Sequence, residues 1–213
     1  MNENLKRTLS GILYMAVMWT GTSYSETTFS LLFAILGILS IYEMWKLRRG
    51  KNKFLAFLYI LSPFCLIQLS GMTENSYTDT PFDPSLILLM LVLTWTFDTF
   101  AYLFGVTLGK HKIMPSISPK KSWEGFAGGF LFTIIIAYIT SEYFLTINRQ
   151  FIMIVSLILP FTATLGDFIA SHYKRQARVK DSGNIIPGHG GILDRMDAFT
   201  ITIPMIYILI KLL

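Results

Sequence analysis

Polar residues in this chain are gathered into short gaps, and the stretches between them are long and almost free of charge. Seven such stretches can be marked, at residues 9–25, 27–45, 54–73, 84–106, 125–146, 150–169 and 197–213. A helix crossing a bilayer core needs roughly 20 apolar residues. The pattern therefore predicts an all-α, polytopic integral membrane protein of about seven transmembrane helices, with residues 1–213 forming a single membrane-embedded domain. Pro63, Pro160 and Pro204 fall inside apolar stretches, where membrane helices tolerate proline by kinking. A bend at Pro160, seven residues before Asp167, would aim that acid at the mouth of the sixth helix.

Composition strengthens the prediction. Hydrophobic residues make up 53% of the chain and charged residues 15%, with a mean hydropathy of +0.53, which excludes an ordinary water-soluble globule. The one cysteine, Cys65, lies in the third stretch, so neither a disulfide framework nor a cysteine-rich metal site is possible. The first stretch follows Lys6 and Arg7 as a signal peptide would, but the residues around Trp19 make a poor cleavage site, and a retained helix is expected. No internal repeat is visible.

The charge of +5 would suit nucleic acid, but its placement argues against such a partner. Sixteen of the 18 Lys and Arg residues lie before the first stretch or in the second, fourth and sixth gaps; only Arg149 and Lys211 lie on the other side. The third gap holds Glu74, Asp79 and Asp83 and no base. By the positive-inside rule the N-terminus is cytoplasmic, and seven spans place the C-terminus outside. Lys46, Arg48, Arg49, Lys51 and Lys53 read as a juxtamembrane anchor that attracts anionic lipid.

Acids at membrane depth are costly and hence candidates for function. Glu142 is explained by solvation near an outer helix end. Glu43 has Lys46 at i+3 and is expected to form an interfacial ion pair. Asp98 has no base within one helical turn. Asp167 is followed by Ser171 at i+4 and Lys174 at i+7, on one helical face, and Asp194 and Asp197 stand at i and i+3. Asp98, Asp167, Asp194 and Asp197 could converge on one basic mouth. Magnesium commonly uses one or two carboxylates together with substrate phosphates, although capping aspartates are also common near helix ends.

The surroundings of these acids favour phosphate chemistry. Lys174, Arg175 and Lys180 can neutralise phosphate charge, and the run Pro187-Gly188-His189-Gly190-Gly191 lets backbone approach a ligand. The run from Ser171 through Lys174-Arg175, Lys180-Asp181-Ser182-Gly183, Pro187-Gly188-His189-Gly190-Gly191 and Asp194-Arg195-x-Asp197 resembles the signature of the phosphatidate cytidylyltransferases, also called CDP-diacylglycerol synthases. A second block, Asp98-Thr99-Phe100-Ala101-Tyr102, Gly109-Lys110 and Ser118-Pro119-Lys120-Lys121-Ser122-Trp123-Glu124-Gly125, is similar to that family as well. Ala170 stands where the bacterial form often has Glu, and the chain is shorter than many members.

The resemblance implies transfer of a cytidylyl group from CTP to phosphatidate with Mg2+, alone or with a second cation, for phospholipid synthesis. It implies catalytic roles for Asp167, Asp194, Lys174, Arg175, Lys180, Asp181, Arg195 and Asp197, with Asp167 and Asp194 as metal ligands and Asp98 and Asp197 as further candidates. Ser118, Lys120, Lys121, Trp123, Glu124, Ser171, Gly188, His189, Gly190 and Gly191 are expected to meet substrate; Trp123 suits base stacking or an interfacial belt equally, and His189 a hydrogen bond or a turn. The expected partners are CTP, phosphatidate and membrane lipid, with the chain acting either alone or as a homodimer. The expected location is a bacterial plasma membrane, with the active site facing the cytoplasm. The closest rival is a CTP-dependent polyprenol or phytol kinase, which releases CDP rather than pyrophosphate; a non-catalytic transporter or scaffold fits the mixed motif less well.

Overall fold

The structure is a computed structural model that describes residues 3–71, 82–186, 188 and 190–212. Glu74, Asp79, Pro187 and His189 lie outside the described residues. The elements run α1 (Glu3–Ser23), α2 (Glu26–Leu47), α3 (Phe54–Gly71), α4 (Ser85–Thr107), β1 (Lys112–Met114), β2 (Ser118–Ser122), α5 (Trp123–Thr140), α6 (Arg149–Gln176) and α7 (Leu193–Leu212).

Each predicted apolar stretch falls on one of the seven helices. Of these, α2 to α6 are long and apolar enough to cross a membrane. The other two are helical but carry more polar ends, α1 through Glu3, Lys6 and Arg7 and α7 through Asp194, Arg195, Asp197 and Lys211. Large apolar side chains such as Leu31, Ile35 and Ile38 on α2 and Leu131 and Tyr138 on α5 point outward. That is unfavourable in water and natural in lipid. The chain is an integral membrane protein.

Local chemistry sets where the helices begin. Ser25 caps α2 in a reciprocal pair with Thr28, Ser122 Oγ accepts the Gly125 N–H at the start of α5, and the Asn148 side chain accepts the Gln150 N–H at the start of α6. Such caps satisfy N–H groups that have no partner within the helix. The core comprises Phe29 and Phe33 of α2, Ile60 and Ile67 of α3, Leu89 and Met90 of α4, Leu159 of α6 and Ile203 of α7. Helices α4 and α5 meet through glycine: a Cβ on Gly125 would stand 2.6 Å from the Ala101 carbonyl oxygen, and one on Gly129 would stand 2.8 Å from that of Phe97. Small residues let membrane helices approach this closely.

The α2–α3, α4–α5 and α6–α7 connections gather at one end of the bundle. Arg48 Nη1 donates to Gln176 Oε1 at 2.7 Å, and Lys51 Nζ donates to the Gln176 carbonyl at 3.0 Å. These two residues of the expected lipid anchor therefore hold the C-terminal end of α6, while Lys46 lies over the Tyr42 ring and Lys53 over the Trp45 ring. Between α4 and α5 the chain forms an antiparallel hairpin, pairing Lys112 with Ser122 and Met114 with Ser118. The run of Lys, Pro and Ser gives no alternating pattern from which a strand could be foreseen.

Candidate active site

Helix α6 does not stop at residue 169 but runs on to Gln176, keeping Asp167, Ser171 and Lys174 on one continuous helical face. Ser171 Oγ stands 3.5 Å from Asp167 Oδ1. Gly166 makes the next step possible. A Cβ there would collide with the Asp197 carbonyl oxygen, so its absence brings α6 and α7 together where each carries an acid, and the Asp167 and Asp197 carboxyl groups stand close enough to interact. Lys121 Nζ, from the hairpin, reaches Asp167 Oδ2 at 2.7 Å. Asp98 on α4 lies within electrostatic reach of Asp167, Lys121 and Arg195.

Beneath this pair is a residue that the sequence reading does not single out. Tyr59 of α3 donates its hydroxyl to the Gly166 carbonyl at 2.9 Å. Thr200 Oγ1 stands 2.5 Å from both the Tyr59 hydroxyl and the Asp197 carbonyl. One tyrosine thus joins the backbones that carry the two acids.

Asp194 behaves differently from Asp167. Its Oδ1 accepts from Lys174 Nζ at 2.6 Å in an ion pair whose side chains are only 7% and 8% exposed. Its Oδ2 accepts the Ser182 N–H at 2.8 Å and the Gly191 N–H at 2.9 Å. Both oxygens are engaged within the protein, and Lys174 points to Asp194 rather than into open space. Gly188 and Gly190 have φ of +76° and +85°, a region that L side chains rarely adopt, and Ile186 N–H donates to the Gly190 carbonyl.

The expected ion pair of Glu43 with Lys46 is not formed. Glu43 is 2% exposed and accepts from the Ser182 hydroxyl and from the Ile192 and Leu193 N–H groups. Lys46 has turned onto Tyr42. A tyrosine four residues before a lysine on one helix was the available signal. Glu142 is also paired, with Arg149 at 3.0 Å.

The second motif block encloses a cavity of about 530 Å3 between α4, the hairpin and α5. Lys112, Lys120 and Lys121 line it together with Asp98, while Phe97, Tyr102 and other apolar side chains form the rest of the wall. Asp98 is accessible through this cavity. Glu124 serves the wall rather than the space: it accepts the Lys110 and His111 N–H groups and lies 2.6 Å from His111 Nδ1, fixing the turn that leads into β1. Ser118 opens β2. Trp123 is 56% exposed and meets Phe126 edge-on.

Arg175 donates to the Val179 carbonyl at 2.8 Å, while Lys180, Asp181 and Gly188 are exposed. Arg195 acts electrostatically on Tyr14 and Asp98. Among the described residues, no three Asp, Glu, His or Cys side chains stand close enough to hold a cation by themselves.

Acids and lysines at one end of an apolar bundle suit a phosphate ester of a membrane lipid, and comparison with known proteins points the same way. A family model described as the cytidylyltransferase family matches residues 54–213. The chain belongs to this family. A phosphatidate cytidylyltransferase of Rickettsia bellii is 34% identical over 210 residues, covering 94% of this chain and 88% of its own length. Proteins of the same name from Staphylococcus epidermidis and Staphylococcus aureus are 39% and 42% identical over 165 and 166 residues, covering 76% of this chain. The chain spans 62% of the length of those staphylococcal relatives.

Proposed function

We propose that this protein transfers a cytidylyl group from CTP to phosphatidate, giving CDP-diacylglycerol and pyrophosphate. The observation that carries the reading is the Lys121–Asp167 contact, which joins the lysine-lined cavity to the paired acids of α6 and α7 in a member of the cytidylyltransferase family. A phosphate oxygen of phosphatidate attacks the α-phosphorus of CTP, a new P–O bond forms, and the bond to pyrophosphate breaks. Lys112, Lys120 and Lys121 neutralise phosphate charge, and Phe97 and Tyr102 give the same space an apolar wall. A phosphate monoester needs little activation as a nucleophile, so positioning and charge neutralisation supply most of the rate.

Asp167 and Asp197 are the residues suited to hold Mg2+. Two neighbouring carboxyl groups would offer oxygen ligands to the ion, and magnesium commonly takes the rest from water and substrate phosphates. The ion would supply positive charge against the triphosphate. Asp98 lines the same cavity and would support it, and the loop hydrogen bonds of Asp194 suit a role in holding the site together. The basic end of the bundle faces the cytoplasm in this reading, by the 16-to-2 division of Lys and Arg. CTP then arrives from the cytosol and phosphatidate from the bilayer of the plasma membrane.

Purified protein supplied with CTP, phosphatidate and magnesium tests the proposal. Pyrophosphate and CDP-diacylglycerol are expected in equal amounts. Release of CDP with phosphorylation of a lipid alcohol would replace the reading with a kinase.

A further inference from the structure

Glu43 is the most buried charged side chain described, and it lies on α2, outside both motif blocks. One carboxylate oxygen accepts the Ile192 N–H at 3.0 Å. The other accepts the Leu193 N–H at 2.9 Å and the Ser182 hydroxyl at 2.7 Å. All three donors belong to the α6–α7 loop and the first residue of α7. Two glycines make room for the carboxylate: a Cβ on Gly183 would stand 2.5 Å from Glu43 Oε1, and one on Gly191 would collide with Glu43 and Ser182.

A carboxylate on a spanning helix costs at least a few kcal/mol, and a leucine or methionine would fill the same place without that cost. What the charge adds is direction. The first N–H groups of a helix lack partners within it and carry the positive end of its dipole, so an anion fixed on α2 determines where α7 begins. The Ser182 and Gly191 N–H groups, in turn, hold Asp194, which meets Lys174; one turn further on, Asp197 meets Asp167.

We infer that Glu43 is a positioning residue for the proposed cytidylyl transfer: its carboxylate fixes Ser182 and the Ile192–Leu193 start of α7 so that Asp194 and Asp197 reach their partners on α6. The inference rests on the proposed reaction for its kinetic part only. Gln at this position offers one acceptor oxygen where three donors arrive at two, and its amide N–H groups meet donors. Asp keeps the charge and both oxygens on a shorter arm.

The test compares wild type with Glu43→Gln and Glu43→Asp, using initial rates over CTP and phosphatidate concentrations together with amide hydrogen exchange in detergent. For Glu43→Gln, kcat should fall by at least about tenfold while KM for either substrate stays within about threefold. Faster exchange should be confined to the 182–193 segment. Glu43→Asp should recover part of kcat, and it carries the test if Glu43→Gln does not fold. An unchanged kcat in Glu43→Gln overturns the inference, as does faster exchange spread through α2 and α3, which would mark a general packing role. If the wild type itself makes no CDP-diacylglycerol, the proposed function has failed. The exchange data then decide the tether alone, and unchanged exchange at 191–193 refutes it.

Discussion

Lys121 Nζ stands 2.7 Å from Asp167 Oδ2, so the hairpin between α4 and α5 is held against the acidic end of α6. Lys121 also lines the cavity. The contact therefore joins the space proposed for substrate to the acids proposed for the metal. Lys121→Met, which keeps the length and removes the charge, should lower kcat/KM by more than about tenfold, near 1.4 kcal/mol of transition-state stabilisation. Kinetics of the purified variant check this. Lys211→Ala, at the other end of the bundle, should leave the rate unchanged.

The three aspartates of α6 and α7 should separate into two classes. Asp167→Asn and Asp197→Asn should abolish turnover while leaving thermal stability close to wild type, because Asp167 pairs with the partly exposed Lys121 and Asp197 Oδ1 accepts the N–H of its neighbour Ala198, an acceptor that Asn retains. Asp194→Asn should destabilise the fold as well. It leaves the buried Lys174 without its ion partner, a loss of about 3–5 kcal/mol in comparable buried pairs. Melting curves beside activity assays distinguish the classes, and equal melting points for all three variants would refute the division.

Much of this arrangement was legible in the sequence. A bilayer demands long apolar runs, so all seven helices could be placed from hydropathy, and the face shared by Asp167, Ser171 and Lys174 follows from helical periodicity alone. Glu43 could not be assigned in the same way. A local partner, Lys46, stood one turn away, whereas the real donors include a main-chain N–H 150 residues distant. The contact of Asp194 with Lys174 was not legible either: nothing in the spacing of Asp194 from Asp197 points to a lysine 20 residues earlier, which only the fold brings to it. The hairpin left no trace because its residues serve a tight turn and a cavity wall rather than a buried sheet face.

Gly166→Ala should reduce activity more than its small added volume suggests. The new methyl group would meet the Asp197 carbonyl and push α7 away from α6, separating the paired acids. A loss of more than about tenfold in kcat is expected. Full activity would show that the close approach of these helices is not needed.

Orientation is tested by cysteine labelling in a Cys65→Ala background. Ser116→Cys in the hairpin and Asn184→Cys in the α6–α7 loop are exposed positions at the basic end and should react with a membrane-impermeant reagent only from the cytoplasmic side. Leu145→Cys, in the exposed turn between α5 and α6, should react from the outer side. The reverse pattern would deny CTP access to the proposed site.

The most direct measurement follows both products from the purified protein in one reaction mixture of CTP, phosphatidate and magnesium, with chelator added to a parallel sample and Asp167→Asn as the control. Equal release of pyrophosphate and CDP-diacylglycerol by the wild type, silence after chelation and silence in the variant are expected. Formation of CDP in place of pyrophosphate, or undiminished product from Asp167→Asn, would contradict it.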